Sequence, residues 1–382
     1  MSSIYDLKVY INQQQGSILE FDPKNHSYTI EVPRDCFALR IHVDYDPAYY
    51  IRITADHDAG RFQTEDLDPA MGDYLAGTEV PFYEYYDGYL LRLDKRRSAL
   101  RCDLDMNISV EAGSYELGSE SWQIRLIRRA DTATMDLFTM DSFWDDEYNV
   151  RVPYALYVPT DYDPDKKYPV VIGLHGTGEM IEPLEAMLEK MELGTAWARD
   201  SEQGHNQCIV LIPQCIQHYD EEDNWVSLVQ FIHGHSNSPF WPLPQLKAVW
   251  NLLNMLKSRY SIDDKRVYLT GMSSGGFACY VMAMDHPGAF AAIVPISCAA
   301  NPERISELKG VPMWIFHSDD DPLIVPEWSL NPTLQNLSNA GVEYRLTRYP
   351  AKQVFWQSGH FAWEVCYHDK EMRDWLFAQK LS

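Results

Sequence analysis

A chain of 382 residues with 46% hydrophobic residues, 11 Trp and 24 Tyr can fill more than one core, and two domains fit that length better than one. Its formal charge of -24 excludes nucleic acid and anionic membrane surfaces as expected partners and implies a self-repelling surface. The seven cysteines are scattered, odd in number and lack C-x-x-C pairs. With no basic-then-apolar leader at the start and no apolar run long enough to cross a bilayer, free thiols and a cytoplasmic location are expected.

Over residues 1–130, apolar residues alternate in short runs such as Tyr28–Val32, Leu39–Val43, Tyr50–Ile53, Tyr89–Leu93, Ile108–Val110 and Trp122–Ile127. Period-two alternation between turn residues predicts about seven strands of half-buried antiparallel sheet, hence a β-sandwich. The opening Gly16–Pro23, followed by His26–Ile30, resembles the cadherin-like (Ig-like) sandwich modules attached to bacterial enzymes. That resemblance implies an accessory module without catalytic residues, and homo-oligomerisation through it is one expected role. Between Ala59 and Gly88 the rhythm breaks. Glu65, Asp66, Asp68 and Asp73 lack the spacing of a calcium loop and read as solvated loop. The aromatics Phe82–Tyr86 read as interface or core, with a sugar platform or substrate wall as alternatives.

Residues 131–149 are polar and acidic and read as a linker. From 150 to 382 a second rhythm runs. Val150–Pro159 reads as an entry strand, while Asp161–Asp165 lacks the glycine and closing glutamate of a calcium loop. Tyr168–Leu174 and Cys208–Pro213 are continuous apolar runs, as in strands buried on both faces. His233 and His235 suggest metal ligands but have no third partner, so no metal is expected. Pro244–Tyr260 is a predicted helix whose apolar face is Val249, Leu252, Leu253 and Leu256. Further strands are expected at Ala291–Ile296, Pro312–His317 and Val342–Leu346, and a last helix at about Tyr367–Lys380. Strands alternating with helices predict a parallel, doubly wound α/β sheet.

The central stretch is Gly271-Met272-Ser273-Ser274-Gly275-Gly276, after the strand-like Val267–Thr270 and before the helix-like Phe277–Met284. Strand, tight turn and helix around G-x-S-x-G place Ser273 at an apex, where Gly271 and Gly275 avoid collisions that a Cβ would cause. A serine hydroxyl needs a base, and the base an orienting acid. Beyond Ser273 the sequence offers Asp319-Asp320-Asp321 and, later, Gly359-His360, both expected in loops at strand ends.

From about Arg151 onward the chain resembles α/β-hydrolases of the esterase group: feruloyl and acetyl esterases, polyhydroxybutyrate-depolymerase-like enzymes and predicted peptidases. The matching pieces are Tyr168–Val171, Leu174–Glu179, Arg266–Gly276 and the Asp321 and His360 segments. The resemblance implies the order Ser273, Asp321, His360 for nucleophile, acid and base. The acid strand end, H-G-x-x-D-x-x-V in such enzymes, reads His317-Ser318-Asp319-Asp320-Asp321-Pro322-Leu323-Ile324 here, leaving Asp320 and Asp319 as alternatives. It also implies an oxyanion hole from the Ser274 and Thr177 amides, His175 supporting that loop, and no cofactor. The expected activity is hydrolysis of a small-molecule carboxylic ester, with peptidase or amidase action as the alternative and a non-catalytic binding protein behind both. Among the aromatics Phe240, Trp241, Phe355, Trp356, Phe361 and Trp363, Trp241 and Trp356 are the expected substrate-binding pair for bulky or phenolic esters.

Overall fold

Alternation does build the first part of the chain. In the computed structural model, residues 3–11, 17–33, 36, 38–55, 82–85, 88–92, 104–129, 136–181, 183–216, 241–351, 353–354 and 359–382 are described. The chain divides into two units, Met1–Ala133 and Thr134–Ser382. The first holds β1 (Ile4–Ile11), β2 (Ser27–Val32), β3 (Ala38–Tyr45), β4 (Tyr50–Ala55), β5 (Phe82–Tyr85), β6 (Gly88–Arg92), β7 (Leu104–Ser114) and β8 (Gly118–Arg128). They form two four-stranded sheets, ordered β1-β3-β6-β5 and β2-β8-β7-β4. Side chains at every second position, such as Met106, Ile108 and Val110 on β7 and Leu7 and Val9 on β1, enter one shared core with Trp122. Among the described residues the expected all-antiparallel pairing fails between β2 and β8. These two run parallel, from Ser27↔Gln123 to Val32↔Arg128.

The second unit is built on an eight-stranded sheet, ordered β16-β15-β14-β13-β11-β12-β10-β9. Its strands are β9 (Phe138–Asp145), β10 (Val150–Tyr157), β11 (Tyr168–Leu174), β12 (Ile209–Pro213), β13 (Ile262–Met272), β14 (Ala292–Ile296), β15 (Trp314–Ser318) and β16 (Arg345–Tyr349). The pairs from β12 through β16 are parallel, while β10 and β9 join antiparallel. Among the described residues the α-helices are α1 (Leu184–Lys190), α2 (Glu192–Ala198), α3 (Asp200–Gln203), α4 (Leu243–Arg259), α5 (Ser274–Asp285), α6 (Leu330–Asn339), α7 (Trp363–Cys366) and α8 (Lys370–Ala378).

Burial on both faces explains the continuous apolar runs. On one face Val170, Ile172 and Leu174 pack with Leu252 and Leu256 of α4 and Phe277 and Tyr280 of α5. On the other, Val171, Val210 and Tyr268 meet Trp197 of α2 and Met372 and Leu376 of α8. Helices on both faces of a mostly parallel sheet make the unit a doubly wound α/β layer structure. α5 is buried along nearly its whole length, so it has no polar face.

Other sequence readings shift as well. Phe138–Asp145, inside the expected 131–149 linker, is an edge strand. Only its two end residues, Phe138 and Asp145, are buried, so no alternating signal marks it. The closing helix starts at Lys370 rather than Tyr367, because the Asp369 side chain accepts the Glu371 and Met372 amides as an N-cap. Among the described residues six cysteines are buried free thiols, and no helix is long and apolar enough to cross a membrane.

Candidate active site

β13 delivers Ser273 in a conformation that few residues other than glycine adopt, with φ 51° and ψ -123°. Such a backbone costs on the order of 1–3 kcal/mol and persists only where its surroundings over-determine it. They do so here. The Ser273 amide donates to Ile296 O of β14 at 3.0 Å, and its carbonyl accepts the Gly276 and Phe277 amides at 2.8 and 3.2 Å. A Cβ on Gly275 would lie 2.0 Å from Leu174 O, and one on Gly271 would lie 2.1 Å from Gly275 O. The turn is closed by backbone against backbone, which no side-chain adjustment relieves.

His360 sits in a short 3-10 turn, Gly359–Phe361, and the Ser273 hydroxyl donates to its Nε2 at 3.0 Å. Its Nδ1–H donates to Asp321 Oδ2 at 2.8 Å. A carboxylate can only accept, so this partner fixes the tautomer and leaves Nε2 with its lone pair toward the serine. Gly359 permits the approach, since a Cβ there would lie 2.3 Å from Asp320 Oδ1 and 2.7 Å from the Asp320 backbone. The chain of contacts from Ser273 through His360 to Asp321 is unbroken, and His360 and Asp321 are both buried.

Three consecutive aspartates follow β15, and they part ways. Asp319 pairs with Arg348 at the surface. Asp320 Oδ1 accepts the Ser318 hydroxyl at 2.7 Å. Asp321 Oδ2 accepts the His360 Nδ1–H. Its Oδ1 accepts the Leu323 and Ile324 amides at 2.9 and 2.8 Å. Burial pushes the Asp321 carboxyl up, but the His360 hydrogen bond, the neighbouring imidazoles and the Ile324 amide outweigh it and hold the group below the usual carboxylate range.

The loop after β11 lies beside Ser273: a Cβ on Gly176 would be 3.5 Å from Ser273 Cβ. His175 holds this loop. Its Nδ1–H donates to Gly176 O at 2.7 Å and its Nε2 accepts the Cys215 amide at 2.9 Å. Burial lowers the His175 pKa to about 4, so the ring is neutral, as acceptance by Nε2 requires. The Gln214 side chain adds a bond to Glu179 O at 3.0 Å. Thr177 is half-buried and opens a 3-10 turn. Ser274 supplies the first amide of α5, one of the helix N–H groups with no acceptor inside the helix.

Trp241 does not stand where a substrate could meet it. It is 0% exposed, its ring lies 4.8 Å from that of His175, and its indole N–H donates to His175 O at 3.2 Å. This corrects the expectation of a substrate-binding Trp241. The aromatic packs under the loop because its N–H has a buried carbonyl to satisfy. Trp356, with Phe240, Phe355, His233 and His235, lies outside the described residues. Phe361 is half-buried and Trp363 buried beside the His360 ring, at centroid distances of 6.0 and 5.2 Å. Sequence reasoning missed Gln214 and Cys215, because no pattern marks a loop that contributes through one backbone amide and one side-chain bond across the sheet.

A doubly wound sheet with a serine on a strained strand-to-helix turn, facing a histidine and aspartate from later strand ends, defines the α/β-hydrolase fold. Within that class the chain belongs to the Esterase family, described as "Putative esterase", whose model matches residues 146–380. The fold is similar to that of a solved thermostable esterase at 24% identity, with 94% of this chain and 100% of that chain covered and a TM-score of 0.59. A solved ferulic acid esterase matches at 18% identity over 60% of this chain and 98% of its own, with a TM-score of 0.43. Poly(3-hydroxyalkanoate) depolymerase C of Paucimonas lemoignei is 40% identical over 50 residues, 13% of this chain and 12% of that protein's length.

Proposed function

We propose that this chain hydrolyses carboxylic esters through an acyl-enzyme formed on Ser273. The observation that carries the reading is the continuous relay from Ser273 Oγ to His360 at 3.0 Å and from His360 to Asp321 at 2.8 Å. His360 Nε2 takes the hydroxyl proton as Ser273 Oγ attacks the ester carbonyl carbon. The negative charge that develops on the carbonyl oxygen is met by the amides of Ser274 and Thr177, donors worth roughly 2.7–4 kcal/mol each when one is removed. Collapse expels the alcohol, which receives the proton from His360. Water then enters by the same route, giving its proton to His360 and releasing the acid and the free serine. Asp321 holds the imidazole in the required tautomer and offsets the charge it gains.

For the substrate, we favour esters with a bulky or phenolic group. Phe361 stands half-buried beside His360, and Leu323, two residues beyond Asp321, is 45% exposed. Apolar and flat surfaces next to the reacting groups gain most from substrates that cover them. The test is kcat/KM for methyl ferulate or a naphthyl ester against p-nitrophenyl acetate, with a peptide panel alongside. Turnover of the bulky esters at higher kcat/KM supports the reading. Preference for acetate removes the substrate class, and cleavage of peptides but not esters removes the ester assignment.

A further inference from the structure

The acid turn contains a second buried histidine that the relay does not use. His317, on β15, is 0% exposed. Its Nε2–H donates to Ile324 O at 2.8 Å and lies 3.6 Å from Asp321 Oδ2. Its Nδ1 is buried with no hydrogen-bond partner, so that nitrogen carries the lone pair and Nε2 the proton. Leaving a buried ring nitrogen unsatisfied is a cost that an apolar side chain of similar size would not incur. The ring therefore does something besides fill space.

What it does follows from the turn it grips. Asp321 Oδ1 is held by the amides of Leu323 and Ile324, at 2.9 and 2.8 Å. Those amides can fix the carboxylate only if residues 323–324 are themselves fixed. Ile324 is the residue whose carbonyl His317 anchors back to β15. Ser329 Oγ also reaches this carbonyl, at 3.1 Å, but lies closer to Val325 O, at 2.7 Å, and a hydroxyl has a single proton to give. His317 is thus the committed donor. The same residue, Ile324, is thus pinned to the strand through its carbonyl oxygen while its amide N–H holds the acid.

We propose that His317 is a positioning residue for Asp321: through the Ile324 carbonyl it sets the direction from which the carboxylate meets His360. The inference rests on the triad reading above for its kinetic consequence, though not for its structural one. If the turn loosens, Oδ2 moves relative to His360 Nδ1, the imidazole loses its fixed orientation, and the transition state suffers while ground-state binding does not.

The experiment uses the full chain with His317→Leu, which removes the donor, and His317→Gln, whose amide restores a donor at the Nε2 position. Each is made alone and combined with Asp321→Asn. His317→Leu is expected to lower kcat about 10- to 100-fold with KM unchanged, the scale of a misplacement near 1 Å. His317→Gln is expected to recover most of that loss. In the Asp321→Asn background, His317→Leu should cost almost nothing further, since a residue acting through Asp321 has nothing left to position. Losses that multiply in the double variant, or a His317→Gln no better than His317→Leu, would overturn the proposal. Proton NMR gives a readout free of any substrate: the strongly downfield His360 Nδ1–H resonance should be shifted or lost in His317→Leu and kept in His317→Gln. If no ester is turned over but the resonance behaves so, the positioning role stands while the esterase reading fails. A resonance unchanged in His317→Leu refutes the role outright. Should His317→Leu not fold, His317→Asn, polar but one methylene too short to reach Ile324 O, makes the same comparison.

Discussion

The Ser273 turn and the Asp321 turn both lie at carboxyl ends of parallel strands, yet different physics fixes them. Around Ser273 the constraint is local and made of backbone: Gly275 lies against the Leu174 carbonyl and Gly271 against the Gly275 carbonyl. Around Asp321 the constraint comes from afar. Three chemically identical side chains follow one another, and the choice among them is made by a histidine 39 positions later and by the Leu323 and Ile324 amides. A site shaped by sterics leaves glycines in the sequence. A site shaped by hydrogen bonds leaves only residues that could have bonded elsewhere.

The largest test of that contrast is at the aspartates. Asp321→Asn is expected to lower kcat/KM by roughly 10³- to 10⁴-fold, the scale of losing the tautomer-setting acid in a triad. Asp320→Asn, which alters a carboxylate bonded to the Ser318 hydroxyl, should cost less than about tenfold, and Asp319→Asn, at an exposed ion pair, almost nothing. Ester kinetics on the three variants checks this. A crippling Asp320→Asn beside a healthy Asp321→Asn would reassign the acid.

Next come the glycines. Gly275→Ala must displace the Leu174 carbonyl from 2.0 Å, so a loss of about 3 kcal/mol or more in unfolding free energy is expected. Gly178, in the neighbouring loop, has nothing within 4 Å of a notional Cβ, and Gly178→Ala should fall within about 0.5 kcal/mol of the parent. Urea denaturation of both separates a sterically closed turn from an open one.

The His175 anchor gives a comparable effect that depends on pH. Its folded pKa, about 4, lies below the ordinary 6.5, so the unfolded chain takes up the proton first on acidification. This contribution to stability is intact above about pH 6.5 and shrinks as pH falls toward 4, by about 3 kcal/mol in all. His317, also lowered by burial, acts with the same sign. Unfolding free energies measured across this range should fall steeply in the parent and less so in His175→Gln. Identical slopes would mean that His175 is not held neutral by the fold.

The smallest effect concerns Trp241. Trp241→Phe removes one hydrogen bond to His175 O and should cost about 1 kcal/mol of stability. KM for bulky esters should not change, because the ring is enclosed. A several-fold rise in KM would return Trp241 to the substrate surface.

Legibility followed the same division. The α4 face of Val249, Leu252, Leu253 and Leu256 is buried as its periodicity implies, and the central strands match their apolar runs closely. The edges of the sheet did not show themselves. β9 falls in a stretch that reads as a linker, and β16 is Arg345–Tyr349 where Val342–Leu346 is expected, since of its residues only Tyr349 is buried. In the site, Ser273 announces itself through its glycines. Asp321 and His360 are reachable only by resemblance to a family, because nothing local distinguishes Asp321 from Asp320. Trp241 is misread for a related reason: a tryptophan near a pocket and a tryptophan beneath a loop look alike until the partner of the indole N–H, His175 O, is known.

The most direct measurement is covalent. A fluorophosphonate that mimics the tetrahedral intermediate should modify Ser273 and no other serine, located by peptide mass mapping. Labelling should disappear in Ser273→Ala and slow by orders of magnitude in His360→Ala and Asp321→Asn. Adduct on Ser274 or elsewhere, or an Asp321→Asn protein labelled as fast as the parent, would contradict the account.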